Sequence, residues 1–121
     1  MRGVTLRIDV VQSDSGQGVA VADVEIVGEV DMSTAEQLTS AVQTALAGHP
    51  TLVRLDFTAT TFMDSTGLRA VIAAEKRAAE TRTRLVIVGM SAAVEKVLEI
   101  TGLIERYRDG DASSLEEQGP P

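Results

Sequence analysis

The sequence predicts an α/β fold: a mixed sheet of four to five strands, with an edge hairpin and a parallel core, packed by three or more helices. Three observations lead there. Apolar segments with strand character alternate with segments of helical period, in the order strand, strand, helix, strand, helix, strand, helix. From the second strand onward the alternation is βαβα, which implies parallel strands joined by right-handed crossovers. The length of 121 residues suits one domain, and the hydrophobic content of 44% with only 2% aromatics means a core built from Val, Leu, Ile and Ala.

Each element follows from its local pattern. Leu6, Ile8 and Val10 alternate with Arg7 and Asp9, the period-two signature of a half-buried strand. Ser13-Asp14-Ser15-Gly16-Gln17-Gly18 reads as a turn. A second strand follows over about Val19 to Val27, with Ala22, Val24 and Ile26 on one face, and completes the hairpin. Gly28-Glu29-Val30-Asp31 is expected to break that strand. Ser33 and Glu36 have capping-box spacing, with Ser33 as the cap of a helix that buries Leu38, Val42, Ala45 and Leu46. Gly48-His49-Pro50 ends it.

The third strand is Leu52 to Phe57, followed by a polar loop, Thr58-Ala59-Thr60-Thr61. The next helix runs from about Thr66 to Glu80, with Leu68, Val71, Ile72, Glu75, Ala78 and Ala79 as its inward stripe. Gly67 in its first turn is a poor helix former; either it is tolerated near the helix end, or no side chain is wanted beside Ser65. Leu85-Val86-Ile87-Val88 is a continuous apolar run, as expected of a strand covered on both faces. Ser91 caps a third helix carrying Val94, Val97 and Leu98, which Gly102 ends; Leu103 and Ile104 tuck back onto the core. Arg106-Tyr107-Arg108 is expected to form a short last strand. The folded domain is thus placed at residues 1–108, and residues 109–121 read as an acidic, disordered tail holding Asp109, Asp111, Glu116 and Glu117.

Composition removes several functions. With no cysteine and His49 as the only histidine, no thiolate or multi-histidine metal site can be built, and no cofactor is expected. A formal net charge of −7 argues against nucleic acid or an anionic membrane as partner. No apolar run approaches the roughly 20 residues that span a bilayer. The first residues lack a signal-peptide pattern, so a cytoplasmic protein is expected. There is no GxxxxGK[ST] or GxGxxG loop, no nucleophile elbow, and no histidine placed to activate Ser65. The expectation is a non-enzyme with no catalytic residue.

In a parallel sheet, ligands and partners gather at the carboxyl ends of the strands. Two loops leave that rim, one carrying Asp31 and the other Met63-Asp64-Ser65-Thr66, with the Gly89-Met90-Ser91 loop nearby. Ser65 sits where a strand gives way to a helix. It reads either as the helix N-cap or as a phosphate-accepting hydroxyl, because the free N–H groups there stabilise an anion. Asp31 and Asp64 read as loop caps and as contacts for a basic partner.

Gly28-Glu29-Val30-Asp31, its spacing to Phe62-Met63-Asp64-Ser65-Thr66-Gly67-Leu68, and Thr101-Gly102-Leu103 together resemble a STAS domain, and more narrowly the stand-alone bacterial anti-sigma-factor antagonists. The resemblance covers about Leu6 to Arg108. It implies a protein that binds an anti-sigma factor which is itself a serine kinase, so freeing the sigma factor. It further implies phosphorylation of Ser65 as the off-switch and a Ser/Thr phosphatase that resets it. Asp31 matches the aspartate implicated in docking the kinase; Met63, Asp64, Thr66 and Gly67 match the residues around the phosphosite. Thr66 stands where many members have a second serine. The alternatives are a STAS scaffold or subunit of a sensory or lipid-transport complex, and a doubly wound nucleotide-binding enzyme.

Overall fold

The structure, a computed structural model, describes residues 5–14 and 19–107. Within them, the chain runs β1 (Leu6–Asp14), β2 (Ala20–Val30), α1 (Ala35–Ala47), β3 (Leu52–Phe57), β4 (Thr60–Met63), α2 (Ser65–Glu80), β5 (Arg84–Met90), α3 (Ala92–Ile100) and α4 (Ile104–Tyr107). The sheet order is β1-β2-β3-β5, with β4 paired to β2. β1 and β2 are antiparallel, and every other pairing is parallel. The mixed sheet with an edge hairpin is therefore as the sequence predicts, with five strands and four helices. The turn residues 15–18, Arg108 and the acidic segment 109–121 lie outside the described residues.

The core is aliphatic. Ala22, Val24 and Ile26 of β2 and Val53, Leu55 and Phe57 of β3 meet Leu38 and Val42 of α1, Val71 and Ala78 of α2, and Val94 and Leu98 of α3. Burying one such side chain contributes about 1.5–3 kcal/mol.

Several local expectations are corrected. β2 does not break at Gly28 but continues to Val30. Gly28 takes φ +117°, where an added Cβ would collide with the Thr5 carbonyl, and the register shifts between Gly28 and Glu29. Glycine thus lets the strand bulge and go on. The Thr58–Thr61 loop is shorter than expected because Thr60–Met63 forms β4, pairing Phe62 with Glu29 and Met63 with Val30. The buried Thr60 hydroxyl fastens it by donating to the Ile26 carbonyl (2.8 Å). Ile72 and Ala79 of α2 are exposed, and its inward face is Leu68, Val71, Ala74 and Ala78. In β5, Leu85, Val86 and Ile87 are buried but Val88 is half exposed, so this edge strand is not covered along both faces. Arg106 and Tyr107 belong to α4, not to a strand. The Tyr107 hydroxyl donates to Glu75 (2.6 Å) and Arg106 pairs with the same carboxylate (2.9 Å), so Glu75 is a polar clasp rather than part of an apolar stripe.

The Thr101-Gly102-Leu103 element has a structural cause. Gly102 adopts φ +79°, its N–H donates to Glu99, and the Leu103 N–H reaches back to the Leu98 carbonyl (2.8 Å). This is a Schellman close, and Leu103 packs partly buried against the core.

Candidate functional site

The carboxyl rim of the sheet brings Asp31 and the Met63–Gly67 stretch together. Val30 and Met63 are register partners, and the Asp64 N–H donates to the Val30 carbonyl (3.3 Å). Asp31 and Asp64 each follow directly on this last pair, so the two aspartates leave the sheet from neighbouring parallel strands. Ser91 reaches the same rim: its N–H donates to the Phe57 carbonyl, and its hydroxyl caps α3 by accepting from the Val94 N–H (3.2 Å), as expected.

Asp64, not Ser65, is the N-cap of α2. Its backbone is extended, and its carboxylate accepts from the Gly67 N–H (3.0 Å). A carboxylate is a strong cap and complements the helix dipole. Ser65 is the first helical residue; it is exposed, and its hydroxyl makes no hydrogen bond among the described residues. Thr66, half-buried, is likewise without a side-chain bond there.

Gly67 answers to packing. A Cβ on it would come within 2.8 Å of Val30 Cγ1, 2.9 Å of the Val30 carbonyl oxygen and 3.0 Å of Met63 Cγ. The missing side chain therefore faces the end of β2 and the buried Met63, not Ser65. It lets the start of α2 lie against the sheet.

The other half of the rim is a tight turn. Asp31 Oδ1 accepts from the Ser33 N–H (2.9 Å) and the Ser33 hydroxyl (2.8 Å), while the Asp31 carbonyl accepts from the N–H groups of Thr34 and Ala35. Ser33 is thus not the cap of α1. Thr34 holds that position without a side-chain cap bond, and no bond from Glu36 reaches back among the described residues. The Ser33 bonds, with Thr34 assisting, hold the Asp31 carboxyl below its usual pKa, so it is ionised at neutral pH.

Two residues at the rim escaped the sequence reading. Met32 is 81% exposed and Phe62 46% exposed, flanking Asp31 and Asp64. Their signal in the sequence is only an apolar side chain one or two positions from each aspartate, and exposure is set by the turn and by β4. Among the described residues no cluster of acidic or histidine side chains could hold a metal ion. No described helix is long and apolar enough to cross a membrane.

Comparison with known proteins gives a consistent result. The family described as "Mlab, STAS domain" matches residues 14–105. The anti-sigma-B factor antagonist of Listeria monocytogenes is 33% identical over 81 residues, covering 67% of this chain and 71% of that protein. A crystal structure of an anti-sigma factor antagonist from Mycobacterium paratuberculosis superposes with TM-score 0.67 at 27% identity, covering 84% of this chain and 83% of the other. The anti-sigma factor antagonist SpoIIAA in its unphosphorylated form has the same fold, with TM-score 0.61 at 23% identity over 78% of this chain and 82% of that one.

Proposed function

Because this chain belongs to the STAS-domain family and is related to the anti-sigma-factor antagonists, we propose that it is a cytoplasmic partner-switching protein. In its unphosphorylated form it binds an anti-sigma factor that is a serine kinase, and so releases the sigma factor. Phosphorylation at Ser65 ends the interaction, and a Ser/Thr phosphatase restores it. The reading has the chain act by binding, as substrate of another protein's chemistry rather than as an enzyme.

The observation that carries the proposal is the state of the Ser65 hydroxyl. It is exposed and makes no hydrogen bond among the described residues, on the first turn of a helix that Asp64 already caps. A kinase can take this oxygen without removing any bond that holds the fold. Asp31, Asp64, Ser65 and Thr66 form the polar part of the proposed docking surface, Met32 and Phe62 its apolar part, and the buried Met63 and Gly67 shape it from beneath. Met and aromatic side chains are enriched where interfaces form, and charged pairs set register.

The test is a pull-down from native cell extract with the wild-type, Ser65→Ala and Ser65→Asp proteins, followed by phosphosite mapping after incubation with ATP. Retention of an ATP-binding serine kinase by Ser65→Ala and its loss by Ser65→Asp is expected, with phosphate on Ser65 and not Thr66. If all three baits retain the same partners, the switch is absent and the scaffold or transport-subunit reading replaces it.

A further inference from the structure

We propose that Thr34 is a positioning residue for partner recognition: its buried hydroxyl locks the turn that holds the Asp31 carboxylate at the rim. The inference rests on the reading of Asp31 as a docking residue and adds a residue which that reading does not contain.

Thr34 is only 4% exposed although it lies at the start of a helix. A hydroxyl there would ordinarily serve the helix by accepting from one of its first free N–H groups. This one points backwards. It accepts from the Asp31 N–H (2.9 Å) and donates to the Glu29 carbonyl (2.8 Å), with Asp31 Oδ1 a further 3.3 Å contact. A hydroxyl has one proton, and the shorter bond to Glu29 takes the larger share of it. The main chain closes the same loop, since the N–H groups of Thr34 and Ala35 both donate to the Asp31 carbonyl (3.0 and 2.8 Å).

Asp31 is therefore held at three points: its N–H by Thr34, its carbonyl by the start of α1, and Oδ1 by Ser33. Oδ2 accepts no hydrogen bond among the described residues. A carboxylate with one oxygen anchored and the other free is pre-oriented for a single donor approaching from outside. Less side-chain freedom is lost when that donor binds. The same lock fixes the direction of Met32, which lies within the turn and is exposed. Thr34 is itself buried, so it reaches a partner through the turn it fixes, which presents Asp31 and Met32.

The test compares full-length Thr34→Val, which keeps the shape and loses the hydroxyl, with Thr34→Ser, which keeps the hydroxyl. The Ser33 amide bonds to Asp31 and not to Thr34, so its solvent exchange by NMR reports where the carboxylate sits. In Thr34→Val the Ser33 amide is expected to exchange faster while core amides such as Leu55 do not change, and Thr34→Ser is expected to match the wild type. Affinity for the anti-sigma partner recovered in the pull-down is then measured by calorimetry for both variants, Asp31→Ala and the Asp31→Ala/Thr34→Val double variant. Thr34→Val is expected to bind about tenfold more weakly, the scale of one misplaced charge-assisted hydrogen bond, with Thr34→Ser near wild type and the double variant no weaker than Asp31→Ala alone. Additive losses, or wild-type binding by Thr34→Val while Asp31→Ala binds weakly, overturn the proposal. Wild-type binding by Asp31→Ala overturns the docking role of Asp31 itself, and with it the recognition role of Thr34, whatever the exchange rates show.

Discussion

Replacing Asp64 with alanine should destabilise the domain by about 1 kcal/mol, whereas Ser65→Ala, one position along, should change stability by less than about 0.5 kcal/mol. The contrast follows from one hydrogen bond. Asp64 has the extended backbone of an N-cap, and its carboxylate accepts from the Gly67 N–H at 3.0 Å; the Ser65 hydroxyl makes no such bond. Cap-to-alanine substitutions cost about 0.5–2 kcal/mol, and loss of a negative charge at the helix N-terminus adds a few tenths. A change of 1 kcal/mol moves the melting temperature of a domain this size by roughly 4 °C. Urea denaturation and thermal melts of Asp64→Ala, Asp64→Asn and Ser65→Ala measure it. Asparagine caps as well as aspartate, so Asp64→Asn should stay within a few tenths of a kcal/mol of wild type. If Ser65→Ala cost as much as Asp64→Ala, Ser65 would be structural, and the premise that its hydroxyl is free for modification would fall.

Gly67→Ala should lose about 1–2 kcal/mol in urea denaturation, because the new methyl group presses on Val30 and Met63 at 2.8–3.0 Å and outweighs the gain in helix propensity; a stabilised variant would show that α2 can move off the sheet freely. Asp31 titrates below its ordinary value of 3.8, so the stability it contributes is complete above that pH and is lost as pH falls through the depressed value. The stability gap between wild type and Asp31→Asn should therefore narrow in melts as pH drops from about 6 to about 3. Burial and the Glu75 carboxylate raise the Tyr107 phenol well above its ordinary 10.0, so its contribution holds below pH 10 and is lost as pH rises beyond it. Tyr107→Phe should cost about 1 kcal/mol at neutral pH, by urea denaturation, and weaken the alkaline loss.

The motifs were legible in the sequence, but the work each residue does was not always. The glycines illustrate this. Gly28 and Gly102 stand in positive-φ backbone and Gly67 in close contact, two different reasons for one residue type in three short motifs. Capping was misplaced by one residue twice, for the same physical cause. Ser33-Thr34 and Asp64-Ser65 each offer two adjacent cap-competent side chains, and local rules do not rank neighbours. The neighbouring strand settles the choice: β4 ends at Met63, which pairs with Val30, leaving Asp64 as the cap of α2, and Ser33 is taken by Asp31. β4 itself was hidden because four residues are too few to show a period, and its partner lies more than thirty residues upstream in β2. Tyr107 was read as strand for want of any sign that Glu75 would receive it.

The rim's electrostatics explain how the proposed switch could change binding without unfolding the domain. A phosphate on Ser65 adds a charge of about −1.5 to −2 beside Asp64 and Asp31. In water, two unit charges about 7 Å apart repel by about 0.6 kcal/mol. Two carboxylates facing a near-dianion thus cost about 2 kcal/mol, and less in physiological salt, whose Debye length is about 8 Å. The free N–H groups at the start of α2 return about 0.3–1 kcal/mol. The free domain consequently carries only a small penalty, and its helix, capped by Asp64, has no reason to melt. Covering the same rim with a partner removes water and lowers the effective dielectric towards about 20, which multiplies each repulsion about fourfold. Several kcal/mol then fall on the complex alone, a loss of more than a hundredfold in affinity. On the proposed reading, the selectivity for binding over folding comes from solvent: the charges of Asp31, Asp64 and a phosphate on Ser65 would be wet when the domain is alone and dry only when a partner covers them.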